Sequence, residues 1–248
     1  MSIPKISTFD FEQLSYSSEL KTTRAGGKCA QVGYGAGKAQ VKFQLGDSVH
    51  EALLCKWGAD PCDRNNPDAG LQIKLELTDK SKGFLERLEA ATVAAAEANS
   101  MAWFKKKKPT AMLSSAIKPG SDDKYPDMVK LRLDTTNPNP ALRTSVKVAM
   151  WKDGKLTPPT RGTIEDMTPN SMLLPIVRVQ GGVYFMSTMY GTSLVADSVL
   201  VLKDAVVSGL GGFGFGGNSM TFFCFLVERG TSAVAVLFLP SPMFGWLI

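Results

Sequence analysis

The sequence predicts a mainly β protein with α (α+β): a β-barrel or sandwich carrying one long helical excursion. Three observations predict it. Segments in which apolar and polar residues alternate recur between Ala39 and Lys203, which is the period of half-buried strands. Turn-forming links such as "TTNPNPALR" and "KDGK" separate them. One stretch, Lys82 to Phe104, instead places apolar residues at helical spacing. Short strands at regular spacing, with one helix set among them, favour a closed or two-layered sheet over alternating strands and helices.

Along the chain, residues 1–37 read as a weakly ordered Gly-rich segment, because "TTRAGGKCAQVGYGAGK" has little apolar periodicity. A single domain is expected over 38–204. Its first strand is "AQVKFQL", with Val41, Phe43 and Leu45 on one face. "HEALLCKW" is strand or helix, and "DPCDRNNPDAG", Asp60 to Gly70, is loop chemistry. "LQIKLEL" alternates most cleanly: Leu71, Ile73, Leu75 and Leu77 point one way, and Gln72, Lys74 and Glu76 the other. The predicted helix follows, with Phe84, Leu85, Leu88, Thr92 and Ala95 on its apolar face and Pro109 beyond its end. "TAMLSSAI" reads as one further turn of helix. Strands are then expected at "MVKLRLD", "TSVKVAMW", "MLLPIVRVQ", "GVYFMS" and "LVADSVLVLK", with "GG" at Gly181 and Gly182 as a link. Residues 205–248 turn Gly-rich and then strongly apolar, with almost no charge. They are either extra strands or no selected part of the fold, since exposed apolar tails aggregate.

The 248 residues carry a net charge of +5, a mild lean toward a polyanion partner. Cys29, Cys55, Cys62 and Cys224 show no metal-ligand spacing, and His50 is the single histidine, so neither a zinc site nor a cofactor is expected. Reduced cysteines and no visible signal peptide suit an intracellular protein. No apolar run is long enough to span a bilayer, so no membrane association is expected.

Catalytic signatures fail on inspection. "VGYGAGKA" lacks the first Gly and the Ser/Thr of a phosphate-binding loop, having Val32 and Ala39 there. "GFGFGG" matches a dinucleotide motif in letters, but no amphipathic helix follows it. Asp122 and Asp123 sit in a loop composition, and an enzyme reading would need them gathered with Glu165 and Asp166. Nothing here argues for an enzyme.

Aromatic and basic residues do interleave: Trp103, Phe104, Lys105, Lys106, Lys107, Lys108, Lys118, Lys124, Tyr125, Lys130 and Arg132. In "MVKLRLD" the alternation puts Lys130 and Arg132 on one face and Val129, Leu131 and Leu133 on the other. In "GVYFMS", Tyr184 and Met186 share a face opposite Val183 and Phe185, and Tyr190 falls in the following turn. Cations that track phosphates and flat rings that stack on bases are what a single nucleic-acid strand requires. The bland account makes the lysines a helix end favoured by the dipole, and the tyrosines half-buried barrel residues.

The order of these pieces resembles the single-stranded DNA-binding protein family of large double-stranded DNA viruses and related eukaryotic sequences. The resemblance runs over about Gly70 to Lys203: a strand into a long helix ending in "WF" and lysines, a "K-Y-P" turn into "V-K-L-R-L", then "G-V-Y-F" and "Y-G-T-S". It implies an OB-fold-like domain that coats single-stranded DNA with little sequence preference in replication, repair or recombination. It implies a nuclear or viral replication compartment, with RNA binding and homo-oligomeric or cooperative assembly left open. In that light "WFKKKK" becomes one wall of a groove that also holds Lys124, Tyr125, Lys130, Arg132, Tyr184 and Tyr190. The apolar end departs from the acidic tail common in such proteins. The rival is a scaffold protein whose basic patch docks to an acidic partner.

Overall fold

The computed structural model describes residues 3–203 apart from 24, 25, 64, 67–69, 108, 110, 123 and 153. The expectations for 205–248 and for Lys108 and Asp123 lie outside the described residues. In chain order come β1 (Leu14–Thr22), β2 (Lys28–Tyr34), β3 (Ala39–Gln40), β4 (Lys42–Gln44), β5 (Leu53–Cys55), β6 (Asp60–Pro61) and β7 (Leu71–Glu76). Helices α1 (Asp79–Ala98) and α2 (Ser100–Phe104) follow. Then come β8 (Met112–Leu113), β9 (Ile117–Lys118), β10 (Met128–Leu133), β11 (Ser145–Lys152), β12 (Lys155–Leu156), β13 (Thr160–Arg161), β14 (Ser171–Phe185) and β15 (Met189–Lys203). The protein is mainly β, with a large mixed sheet and few helices.

The long antiparallel hairpin β14–β15 is the spine. Along its free edge β14 pairs in turn with β5, β4 and β2. Along its own free edge β15 takes β8, β10 and β11, all parallel to it. β7 then pairs antiparallel with β10. Alternation decides which way each strand faces. Ile73, Leu75, Val129 and Leu131 are fully buried and join Phe43, Leu53, Leu173 and Val177 in one core. α1 closes that core with Phe84, Leu85 and Leu88. Each large side chain buried there contributes about 1.5–3 kcal/mol.

Four expectations need correcting. The described residues of the segment 1–37 are not weakly ordered: they hold β1 and β2, and Ile6 and Phe9 lie in the main core. β2 has a poor local period and forms because β14 pairs with it, Ala30 opposite Val183. The helix is two helices. α1 starts earlier, at a capping box between Thr78 and Ser81. It ends at Asn99, whose amide donates to the Ala95 carbonyl at 2.8 Å. The described part of "TAMLSSAI" holds the short strand β8 and the first residue of β9, not a helical turn. Finally, Gly181 and Gly182 are no link between strands. They form a bulge inside β14, where the register shifts between Gln180 and Val183. The reversal comes later, where Met186 N–H donates to the Met189 carbonyl.

Candidate nucleic-acid interface

The outward face of β7 and β10 carries Lys74, Lys130 and Arg132. Lys130 stands directly opposite Lys74 in the ladder, and Arg132 opposite Gln72. β9 adds Lys118, opposite Met128. Lys118 is held in place: its ammonium donates to the Ser115 carbonyl at 2.8 Å. Ser115 in turn donates to the Glu89 carboxylate of α1 at 2.9 Å, which also accepts from Ala116 N–H at 2.7 Å. Lys118, Lys130 and Arg132 have no carboxylate partner among the described residues. Like charges directly opposite each other in a ladder are destabilising, and only Lys74 is relieved, by Asp60 at 3.3 Å.

Lys118, Lys130 and Arg132 share a concavity of about 190 Å³ with Tyr184, Thr192 and Ser114. Tyr184 pairs with Gly191 on β15. A Cβ on Gly191 would come within 3.1 Å of the Tyr184 hydroxyl, so the glycine leaves the ring room to lie over the strand. One half-buried phenol therefore stands beside three cations.

The structure does not bring the other aromatics there. Trp103 is 5% exposed, and its indole N–H donates to the Ser17 carbonyl at 3.0 Å. Phe104 packs edge-on against Phe185 and Tyr190, each at 5.6 Å between ring centroids. Tyr190 is 3% exposed and its hydroxyl is pushed up in pKa by burial. It lies in β15 opposite Phe185 rather than in a turn, so it shares the packed face. Trp103 and Tyr190 are thus corrected from site to core, and Phe104 is half-buried against them. The split of Tyr184 from Phe185 follows the alternation as expected, although Phe185 is half-buried rather than fully enclosed.

Lys105, Lys106 and Lys107 are exposed at the end of α2 and do not line the concavity. Lys105 takes a left-handed conformation, φ 58°, that ends the helix. Lys124 and Tyr125 are exposed in the turn before β10 and also lie outside the concavity. Sequence reasoning missed Lys74 as a site residue; the signal was there in the alternation of "LQIKLEL", which sets it outward.

Among the described residues no three His, Cys, Asp or Glu side chains cluster to hold a metal. Asp166 is engaged by the Lys203 ammonium at 2.6 Å, which holds its carboxyl below the usual carboxylate range. Glu165 lines a different hollow, with Lys147 and Arg161. No described helix is long and apolar enough to cross a membrane. No protein-family model and no curated protein matches this sequence.

Proposed function

We propose that this protein is a non-enzymatic single-stranded DNA-binding protein that coats strands with little sequence preference, in replication, repair or recombination. The carrying observation is the run of outward cations across β7, β10 and β9, with Tyr184 set among three of them. Cations at strand spacing meet successive phosphates, and a ring between them stacks on a base of any identity. Asp60 already engages Lys74, so Lys130 and Arg132, without a carboxylate partner among the described residues, are the cations left for a polyanion to neutralise. On this reading the sheet wound on its long hairpin is an OB-fold-like domain, as the family resemblance implies. The strand lies across the outer face of β10.

The test is a gel-shift series across salt, with single-stranded DNA, RNA and duplex as competitors. Tight, salt-sensitive binding to single strands with weak duplex competition supports the proposal. Equal competition by duplex and by an acidic polypeptide would favour the scaffold rival.

A further inference from the structure

Trp57 is 45% exposed and Tyr125 52% exposed. Large aromatic surfaces in water are unfavourable for folding, and both belong to one cluster. The Lys56 ammonium stands 5.9 Å from the Trp57 ring centroid and 5.5 Å from that of Tyr125. The Lys74 ammonium stands 5.6 Å from Trp57. Lys74 is also the cross-strand neighbour of Lys130. The cluster is therefore continuous with the basic face.

The turn that carries Trp57 is fixed from beneath. Cys55 is fully buried just before it. Gly58 has φ +72° and a Cβ there would lie 2.6 Å from the Met167 carbonyl oxygen, so only glycine fits. Ala59 N–H donates to that same carbonyl at 3.1 Å. An exposed indole on a pinned turn is ready to stack without an ordering step. The ammonium groups over the rings stand where phosphates flanking a stacked base would meet them.

We infer that Trp57 and Tyr125 form a second base-stacking station, which takes an unpaired base of single-stranded DNA while Lys56 swings to one flanking phosphate and Lys74, held by Asp60 in the free protein, exchanges that carboxylate for the other. This rests on the single-strand reading and deepens it. The strand then runs from Trp57, beside Lys74 of β7, over Lys130 and Arg132 to Tyr184, with a stacked base at each end. A duplex, whose bases are already stacked on each other, has none to offer either station.

The experiment is a fluorescence-anisotropy titration of the full chain, Trp57→Ala, Trp57→Phe and Tyr125→Ala. The probes are an oligothymidine and a strand of equal length with abasic spacers. Thermal melts verify folding. The expected result is a loss of affinity for oligothymidine of roughly 5- to 150-fold for Trp57→Ala. Tyr125→Ala should lose less, Trp57→Phe should retain most of the affinity, and on abasic strand wild type and Trp57→Ala should bind alike. Equal losses on both strands would overturn the inference, because the ring would not be meeting a base. So would a folded Trp57→Ala with unchanged affinity beside a Lys130→Ala/Arg132→Ala variant that binds weakly; the single-strand reading would then survive alone. If wild type fails to bind oligothymidine, both fall.

Discussion

Two regions of this molecule pair aromatic rings with lysines, and they have opposite fates. At the end of α2, Trp103 and Phe104 precede Lys105–Lys107, yet both rings turn inward onto Phe185 and Tyr190. On β7 and β10 the cations and aromatics are distant in sequence, yet they meet on one outer face. Adjacency along the chain puts residues on different faces, whereas a strand ladder gathers every second residue of several strands onto one face. The two regions should therefore respond oppositely to mutation.

The largest effect is expected at the packed cluster. Trp103→Ala should cost about 3–5 kcal/mol of stability, the usual penalty for emptying a core aromatic site. Its folded fraction should bind single strands as wild type does. Denaturant melts beside an anisotropy titration read both quantities. A stable Trp103→Ala protein that binds weakly would exchange the roles of the two regions.

The face assignments behind this were legible in the sequence where alternation is strict. "LQIKLEL" and "MVKLRL" gave Ile73, Leu75, Val129 and Leu131 to the core and left Lys130 and Arg132 outside, as found. Where long-range pairing decides, the sequence was silent. β1 and β2 lack a clear period; β14 pairs with β2, and β2 in turn pairs with β1. Gly181 and Gly182 look like a turn but form a bulge, because the strand continues on the far side to pair with β2. Tyr190 is misplaced for another reason: the turn expected after "GVYFMS" is too long, whereas the reversal closes at Met189 and puts Tyr190 opposite Phe185. The break at Asn99 was hidden because apolar spacing persists to Trp103 across it.

A smaller effect is expected at Tyr184. Tyr184→Ala should weaken single-strand binding by about 1–3 kcal/mol and leave the melting transition nearly unchanged. Loss of folding instead would assign the ring to packing.

Smaller still, Lys130→Ala should raise stability in low salt by at most about 0.2–1 kcal/mol, because it removes a like charge set opposite Lys74, which Asp60 relieves in part. High salt should erase the gain. A destabilised variant would mean that the lysine stem packs rather than repels.

A pH effect separates the packed side further. Burial raises the hydroxyl pKa of both Tyr16 and Tyr190. In the unfolded chain these phenols titrate near pH ~10. Above that the unfolded chain binds fewer protons than the folded one, so stability is complete below it and falls as pH rises through the folded values. Urea midpoints in the alkaline range should drop for wild type and drop less for Tyr16→Phe and Tyr190→Phe. Parallel curves for all three would remove the buried phenols as the cause.

The central claim is that the β7–β10 face, not the lysine run, holds the phosphates. The direct measurement is the slope of log K against log salt for a single-stranded oligonucleotide, in Lys130→Ala/Arg132→Ala and in Lys105→Ala/Lys106→Ala/Lys107→Ala. The account predicts that the double variant flattens the slope by about 1.4, which is about 0.7 for each phosphate no longer neutralised, while the triple variant changes it little. A flattened slope in the triple variant and a wild-type slope in the double variant would contradict it.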